Sequence, residues 1–255
     1  MDVGRELLRA GRIVGFSSLT GSMLVGLSAH EALSRPGERD AVRDLWVRAW
    51  CRAHLALFGV EVTIDGVVPP PPREGGRLVV ANHRSTADIL ILLRTFGGHM
   101  VSRADLARWP LVGAAARAVK TLFVQRGDAV SGAMALRSIR STLARGATVI
   151  VFPEGTTFAK DTVQPFQLGA FLAAARAGAE VLPAGLAYAT GSGAAFVNES
   201  FPAHLARMAA ARPSRAALCI GSPLAPDAEP ARLRDTAHAT VETLVERARA
   251  IADGR

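Results

Sequence analysis

The sequence predicts an α/β fold: a mixed, largely parallel sheet flanked by helices, preceded by an N-terminal membrane-associated two-helix segment. Three observations carry that expectation. Short runs of Val, Leu and Ile alternate with helix-length segments from about residue 60 to residue 251. Several of these runs empty into loops of polar and charged residues, as strands do at the edge where open α/β sheets gather ligands. Residues 13–29 contain no charged residue and no histidine.

At 255 residues and 49% hydrophobic content the chain can bury a substantial core. The expected division is residues 1–58 as membrane-docking helices and residues 59–255 as the α/β domain. The formal net charge is +8, almost all of it from arginine, with Lys120 and Lys160 as the lysines. Such a balance favours anionic partners: nucleic acid, anionic lipid or a phosphorylated substrate. Aromatic content of 5% and the lack of a helix-turn-helix, zinc-finger or RNP pattern argue against nucleic acid. Cys51 and Cys219 stand apart, with no C-x-x-C and no histidine at metal spacing, which points to buried thiols in a reducing compartment. The six histidines show no H-x-x-x-H spacing, so no metal site is expected.

Taken in order, residues 13–29 as a helix would span roughly 25 Å, slightly less than a hydrocarbon core of about 30 Å. Arg5, Arg9 and Arg12 precede it, and Gly15, Ser18, Ser22 and Gly26 recur as a small-residue face suited to another helix. A membrane helix, a buried soluble helix and a signal peptide all fit this stretch, the last weakened by the lack of an A-x-A site. A second helix is expected over residues 40–58, ending at Gly59, with an apolar stripe through Val42, Leu45, Trp46, Ala49, Ala53, Ala56 and Leu57. Its basic flank and paired tryptophans suit either a headgroup-level helix or one packed on its own domain. Val60, Val62 and Ile64 alternate as a strand, and Pro69 to Pro72 form a stiff connector. Further strands are expected at residues 78–81, 99–102, 121–124, 147–152, 181–186 and 216–220. Helices are expected from about residue 86 to Phe96, over 104–119 with a break at Pro110, and over 130–145, 168–176 and 230–251.

The organising stretch is Ala81-Asn82-His83-Arg84-Ser85-Thr86-Ala87-Asp88, between a strand and a helix. A spacing of five lets the Asp88 carboxylate fold back onto one imidazole nitrogen of His83, leaving the other free as a base. The structural alternative is a loop histidine beside a helix-start carboxylate that satisfies backbone N–H groups. Two further strand exits converge on the same edge: Gln125-Arg126-Gly127-Asp128, and Pro153-Glu154-Gly155-Thr156-Thr157. A base, a cation for an anionic headgroup and an acid-plus-glycine loop are the parts needed to move an acyl group onto a hydroxyl.

Four blocks in this order resemble the glycerolipid acyltransferase family, whose bacterial members include lysophosphatidate acyltransferases of the PlsC type. They are Asn82-His83-Arg84-Ser85-Thr86-Ala87-Asp88; Thr121-Leu122-Phe123-Val124-Gln125-Arg126; Phe152-Pro153-Glu154-Gly155-Thr156; and Val181-Leu182-Pro183-Ala184-Gly185. The resemblance implies a membrane enzyme at the cytoplasmic face of the cell membrane. It would need no cofactor, with acyl-CoA or acyl carrier protein as co-substrate and a lysophospholipid as acceptor. His83 would take the proton from the acceptor hydroxyl, oriented by Asp88. Arg126 would hold the acceptor phosphate as a planar, permanently charged donor. Glu154, Gly155 and Thr156 would form the acceptor loop, with Asn82 and Ser85 beside them and Pro183 shaping the thioester side. No G-x-S-x-G elbow is present, so no covalent acyl-enzyme is implied. One departure stands out: many lysophosphatidate-specific members carry arginine after the motif threonine, where this chain has Thr157. Either the acceptor carries less charge there, as a lyso-ornithine lipid would, or Arg84, Arg103 or Lys160 supplies the second basic contact. A non-catalytic lipid-binding protein is the reading from another class, opposed by the intact His83, Asp88, Arg126 and Glu154.

Overall fold

A computed structural model describes residues 3–125, 129–158 and 162–255. The chain opens with two helices, α1 (Val3–Leu33) and α2 (Arg39–Leu57). They pack antiparallel, because Gly15 lies against Leu57 and Gly26 against the Trp46 ring, where a side chain on either glycine would collide. The expected small-residue face is therefore half right. Ser18 and Ser22 are exposed, and the buried line of α1 instead runs through Arg12, Thr20, Met23 and Leu27. The stripe expected on α2 also shifts: Leu45, Ala49 and Ala56 are exposed, while Val47, Cys51, His54 and Leu55 are buried. The cause is that α2 packs against both α1 and α3 (Thr86–Phe96), so its inward face is set by two neighbours.

The remaining elements follow the predicted alternation. They are β1 (Val60–Asp65), β2 (Arg77–Ala81), α3, β3 (His99–Arg103), α4 (Pro110–Ala118), β4 (Leu122–Val124), α5 (Ala129–Ala144) and β5 (Thr148–Val151). Then come α6 (Gly169–Ala177), β6 (Glu180–Tyr188), α7 (Phe201–Ala209), β7 (Ser214–Ile220) and α8 (Pro230–Asp253). A short 3-10 turn at Ala104–Arg108 precedes Pro110, where the helical stretch breaks as expected. Helix α7 was not anticipated. Its signals are local and short: the Ser200 side chain accepts from Ala203 N, and Pro202 occupies the first turn.

Among the described residues the strands form one sheet in the order β1-β7-β6-β2-β5-β3-β4. All neighbours are parallel except β6 and β7, so β1 and β7 run opposite to the other five. Strands β2, β4 and β5 consequently leave the sheet at one edge. Alternation along each strand builds two cores. Val79, Ala81, Ile150, Leu182 and Leu186 face α2, α3 and α7, whereas Leu78, Val80, Val149, Val151 and Val181 face α5, α6 and α8.

Candidate active site

Helix α3 starts where it does because Ser85 caps it. Ser85 Oγ accepts from Ala87 N at 3.2 Å, and Asp88, in the first turn, reaches back to accept from Ser85 N at 2.7 Å. That reciprocal cap aims the Asp88 carboxylate at the loop leaving β2. Asp88 Oδ2 also accepts from Arg84 N and lies 2.9 Å from His83 Nδ1. Its Oδ1 accepts from the hydroxyl of Tyr188, at the end of β6. A buried carboxylate with this set of donors fixes the imidazole with its proton on Nδ1, leaving Nε2 as an acceptor.

The ring is clamped as well as bonded. It stacks on Phe152 with centroids 3.8 Å apart and planes 7° from parallel. Phe152 leaves β5, the neighbour of β2, so the stack follows from the strand order. Phe158 N donates to the His83 carbonyl, folding the loop after β5 over the histidine. In that loop Glu154 is buried and its Oε1 accepts from His83 N at 3.1 Å. Its Oε2 has no hydrogen-bond partner among the described residues. Burial pushes the Glu154 carboxyl up to about 7, against the opposing pull of the backbone N–H groups of His83 and Gln164. Gly155 sits at φ +79°, a backbone conformation that favours glycine, and turns the chain back over the site. Thr156 is exposed and Thr157 half-buried.

Asn82 and Ser85 prove to be fully engaged by the protein. The Asn82 amide bridges to β6 in both directions, donating to Leu186 O at 2.9 Å and accepting from Leu186 N at 2.8 Å, which holds β2 and β6 together where the ladder ends. Pro183 pairs with Val80 inside the sheet and shares the face of Val181 and Gly185 that packs on α8, so it is not brought to the histidine's side. Arg126 lies outside the described residues; the strand before it, β4, leaves the sheet at the same edge as β2 and β5.

The sequence reading missed two contributors. Tyr188 is the chain's single tyrosine, 100 residues from Asp88, and total burial raises its hydroxyl well above its ordinary value, keeping it a donor. His204, on α7, is buried with Nε2 3.4 Å from Ser85 Oγ and Nδ1 2.9 Å from Glu199. It stacks on Phe196 at 3.7 Å, and burial depresses its basicity. Arg207 binds Glu199 and holds that carboxyl down at about 2. This second histidine–carboxylate pair braces the helix cap from behind.

Beside the dyad an apolar cavity opens between the N-terminal pair and the sheet domain, holding about 1030 Å³ of atom-free space with its mouth included. Thr86 and Ala87, just past the His83 loop, line it together with Trp50, Leu90, Ala115 and Met208. An apolar cavity lined by the residues that directly follow the His83 loop fits a hydrocarbon chain.

The model of the Acyltransferase family matches residues 60–187. A lyso-ornithine lipid O-acyltransferase of Pseudomonas aeruginosa is 32% identical over 185 residues, covering 72% of this chain and 69% of the relative. A 1-acyl-sn-glycerol-3-phosphate acyltransferase of Neisseria gonorrhoeae is 30% identical over 133 residues, about half of each chain at 52%. In fold, the chain is similar to the crystal structure of the 1-acyl-sn-glycerophosphate acyltransferase PlsC from Thermotoga maritima. That likeness has a TM-score of 0.73 at 22% identity and covers 95% of this chain and 97% of the other.

Proposed function

The chain belongs to the acyltransferase family, and we propose that it moves a fatty acyl group from a thioester, acyl-CoA or acyl carrier protein, to the hydroxyl of a lysophospholipid. The favoured acceptor is 1-acylglycerol-3-phosphate, giving phosphatidate. The observation that carries this reading is the His83–Asp88 pair, 2.9 Å apart, in a loop whose next residues, Thr86 and Ala87, line an apolar cavity. His83 Nε2 takes the hydroxyl proton while the acceptor oxygen adds to the thioester carbonyl. The intermediate then collapses by breaking the C–S bond, and the imidazolium returns the proton to the departing thiolate. A base so placed contributes about 10² to 10⁴ in rate. Glu154 Oε2, buried without a hydrogen-bond partner among the described residues, is assigned to a hydroxyl of the acceptor. Arg126 is assigned to the acceptor phosphate, and the loop of Gly155 and Thr156 to its glycerol. Residues 1–58 dock at the cytoplasmic face of the membrane; α1 is long and apolar enough to cross a bilayer by length and composition.

A second reading has its own support. Thr157 replaces a cation that would meet phosphate, and the relative with the longer alignment is a lyso-ornithine lipid enzyme. Offering lysophosphatidate and lyso-ornithine lipid side by side with one acyl thioester and separating the products decides between them. Phosphatidate as main product supports the favoured acceptor; acyl transfer to the ornithine lipid alone replaces it, and transfer to neither overturns both.

A further inference from the structure

Helices α5 and α6 cover the face of the sheet opposite α2 and α3, and their charge is one-sided. With the residue that follows α5 they carry Arg137, Arg140, Arg145 and Arg176, all exposed, and no aspartate or glutamate. Some arginines outside these two helices are matched by acids, Arg232 with Asp227, Arg247 with Asp65 and Arg48 with Asp44. Among the described residues no acid pairs with the four on this layer, and Arg145 is held only by the hydroxyls of Ser141 and Thr142. On the same stripe of α5 as Arg137, at helical spacing, Val130 is 67% and Met134 55% exposed. The stripe begins at the reacting edge, because α5 follows β4, which leaves the sheet where β2 and β5 do. Arg137 lies about 10 Å farther down the helix.

Geometry separates this surface from the membrane. The apolar side chains exposed on the N-terminal pair, such as Val14, Val25 and Leu45, belong to the layer on the other side of the sheet. One flat bilayer cannot lie against both layers. A nucleotide is also too small, since the cations extend from Arg137 to Arg145 along about 12 Å of helix and across to Arg176 on α6. Cations spread along the layer from a small exposed apolar end fit the surface of an acidic protein.

We propose that the α5–α6 face docks the small acidic carrier protein that bears the acyl donor as a thioester, with Met134 at the end of the contact nearer the reacting edge. This rests on the acyl-transfer reading above and selects the donor within it. The test compares palmitoyl-acyl carrier protein with palmitoyl-CoA for wild type and the double variant Arg137→Glu, Arg140→Glu. The ratio of kcat/KM for the carrier protein to that for CoA is expected to fall at least about tenfold, through KM, and the wild-type value for the carrier should drop more steeply with added salt than the variant's. A ratio unchanged within about twofold overturns the proposal. So does loss of the variant's binding to phosphatidylglycerol vesicles, which would make the face a lipid surface. Titrating isotope-labelled apo carrier protein with wild type reads docking without turnover. Shifts that vanish in the variant are expected, and no shifts with wild type overturn the docking even if acyl transfer is measured. Shifts without transfer from any donor would instead remove the acyl-transfer reading.

Discussion

The two faces of the sheet are built from the same strands by simple alternation, yet they do different work. On one face, Leu78, Val80, Val149 and Val181 meet Phe171, Ala174, Val241 and Val245 in a core whose members are at most a few per cent exposed. On the other, the strands meet α2, α3 and α7 beside an apolar cavity, and Thr86 and Ala87, which follow the His83 loop, line it. Close packing stabilises but leaves no room for a substrate. The open face gives up contacts to hold space, and it keeps the histidine in place with hydrogen bonds and a ring stack instead.

Asp88→Asn should break the comparison most severely on the open side. An amide beside Nδ1 no longer enforces the tautomer, and turnover is expected to fall by about 10² to 10⁴. The same change disturbs a buried acceptor of several donors, so unfolding in urea should show a loss of about 2 to 4 kcal/mol. On the closed side, Phe171→Ala should cost about 3 to 5 kcal/mol of stability with turnover per folded molecule preserved. If turnover per folded molecule dropped with Phe171, the two faces would not be separable.

Glu154 sharpens the picture through pH. Its carboxyl titrates near 7 in the folded chain against an ordinary 4.5, so the folded state binds the proton more tightly. Its penalty is absent at low pH and grows as pH rises from about 4.5 through about 7. Glu154→Gln should therefore flatten the decline in stability across that window, read by denaturation at several pH values. The smallest effect is expected from Tyr188→Phe, which removes one donor from Asp88 and should cost about 1 kcal/mol and at most about tenfold in turnover.

What the sequence disclosed was what is local. The strand, the loop and the capped start of α3 lie within a dozen residues, so the spacing allows the His83–Asp88 pairing, and the other blocks of the sequence single it out. Tyr188 and His204 stand 100 and 119 residues from the groups they touch, and only the strand order and the packing of α7 bring them there. The buried face of α2 was misjudged because hydrophobicity favoured Leu45 over His54. His54 is nevertheless fully buried, its ring bonded to Trp50 O and to the hydroxyl of Thr20. Pairing within a helix hairpin decides such a face, and periodicity does not carry that information.

The most direct test of the account is His83→Ala with donor binding and acyl transfer measured on the same preparation. His83 acts on the acceptor's proton and not on the acyl chain. The account therefore predicts a donor dissociation constant within about twofold of wild type and turnover reduced by at least about 10². Transfer at the wild-type rate, or a loss of turnover matched by an equal loss of donor binding, would contradict it.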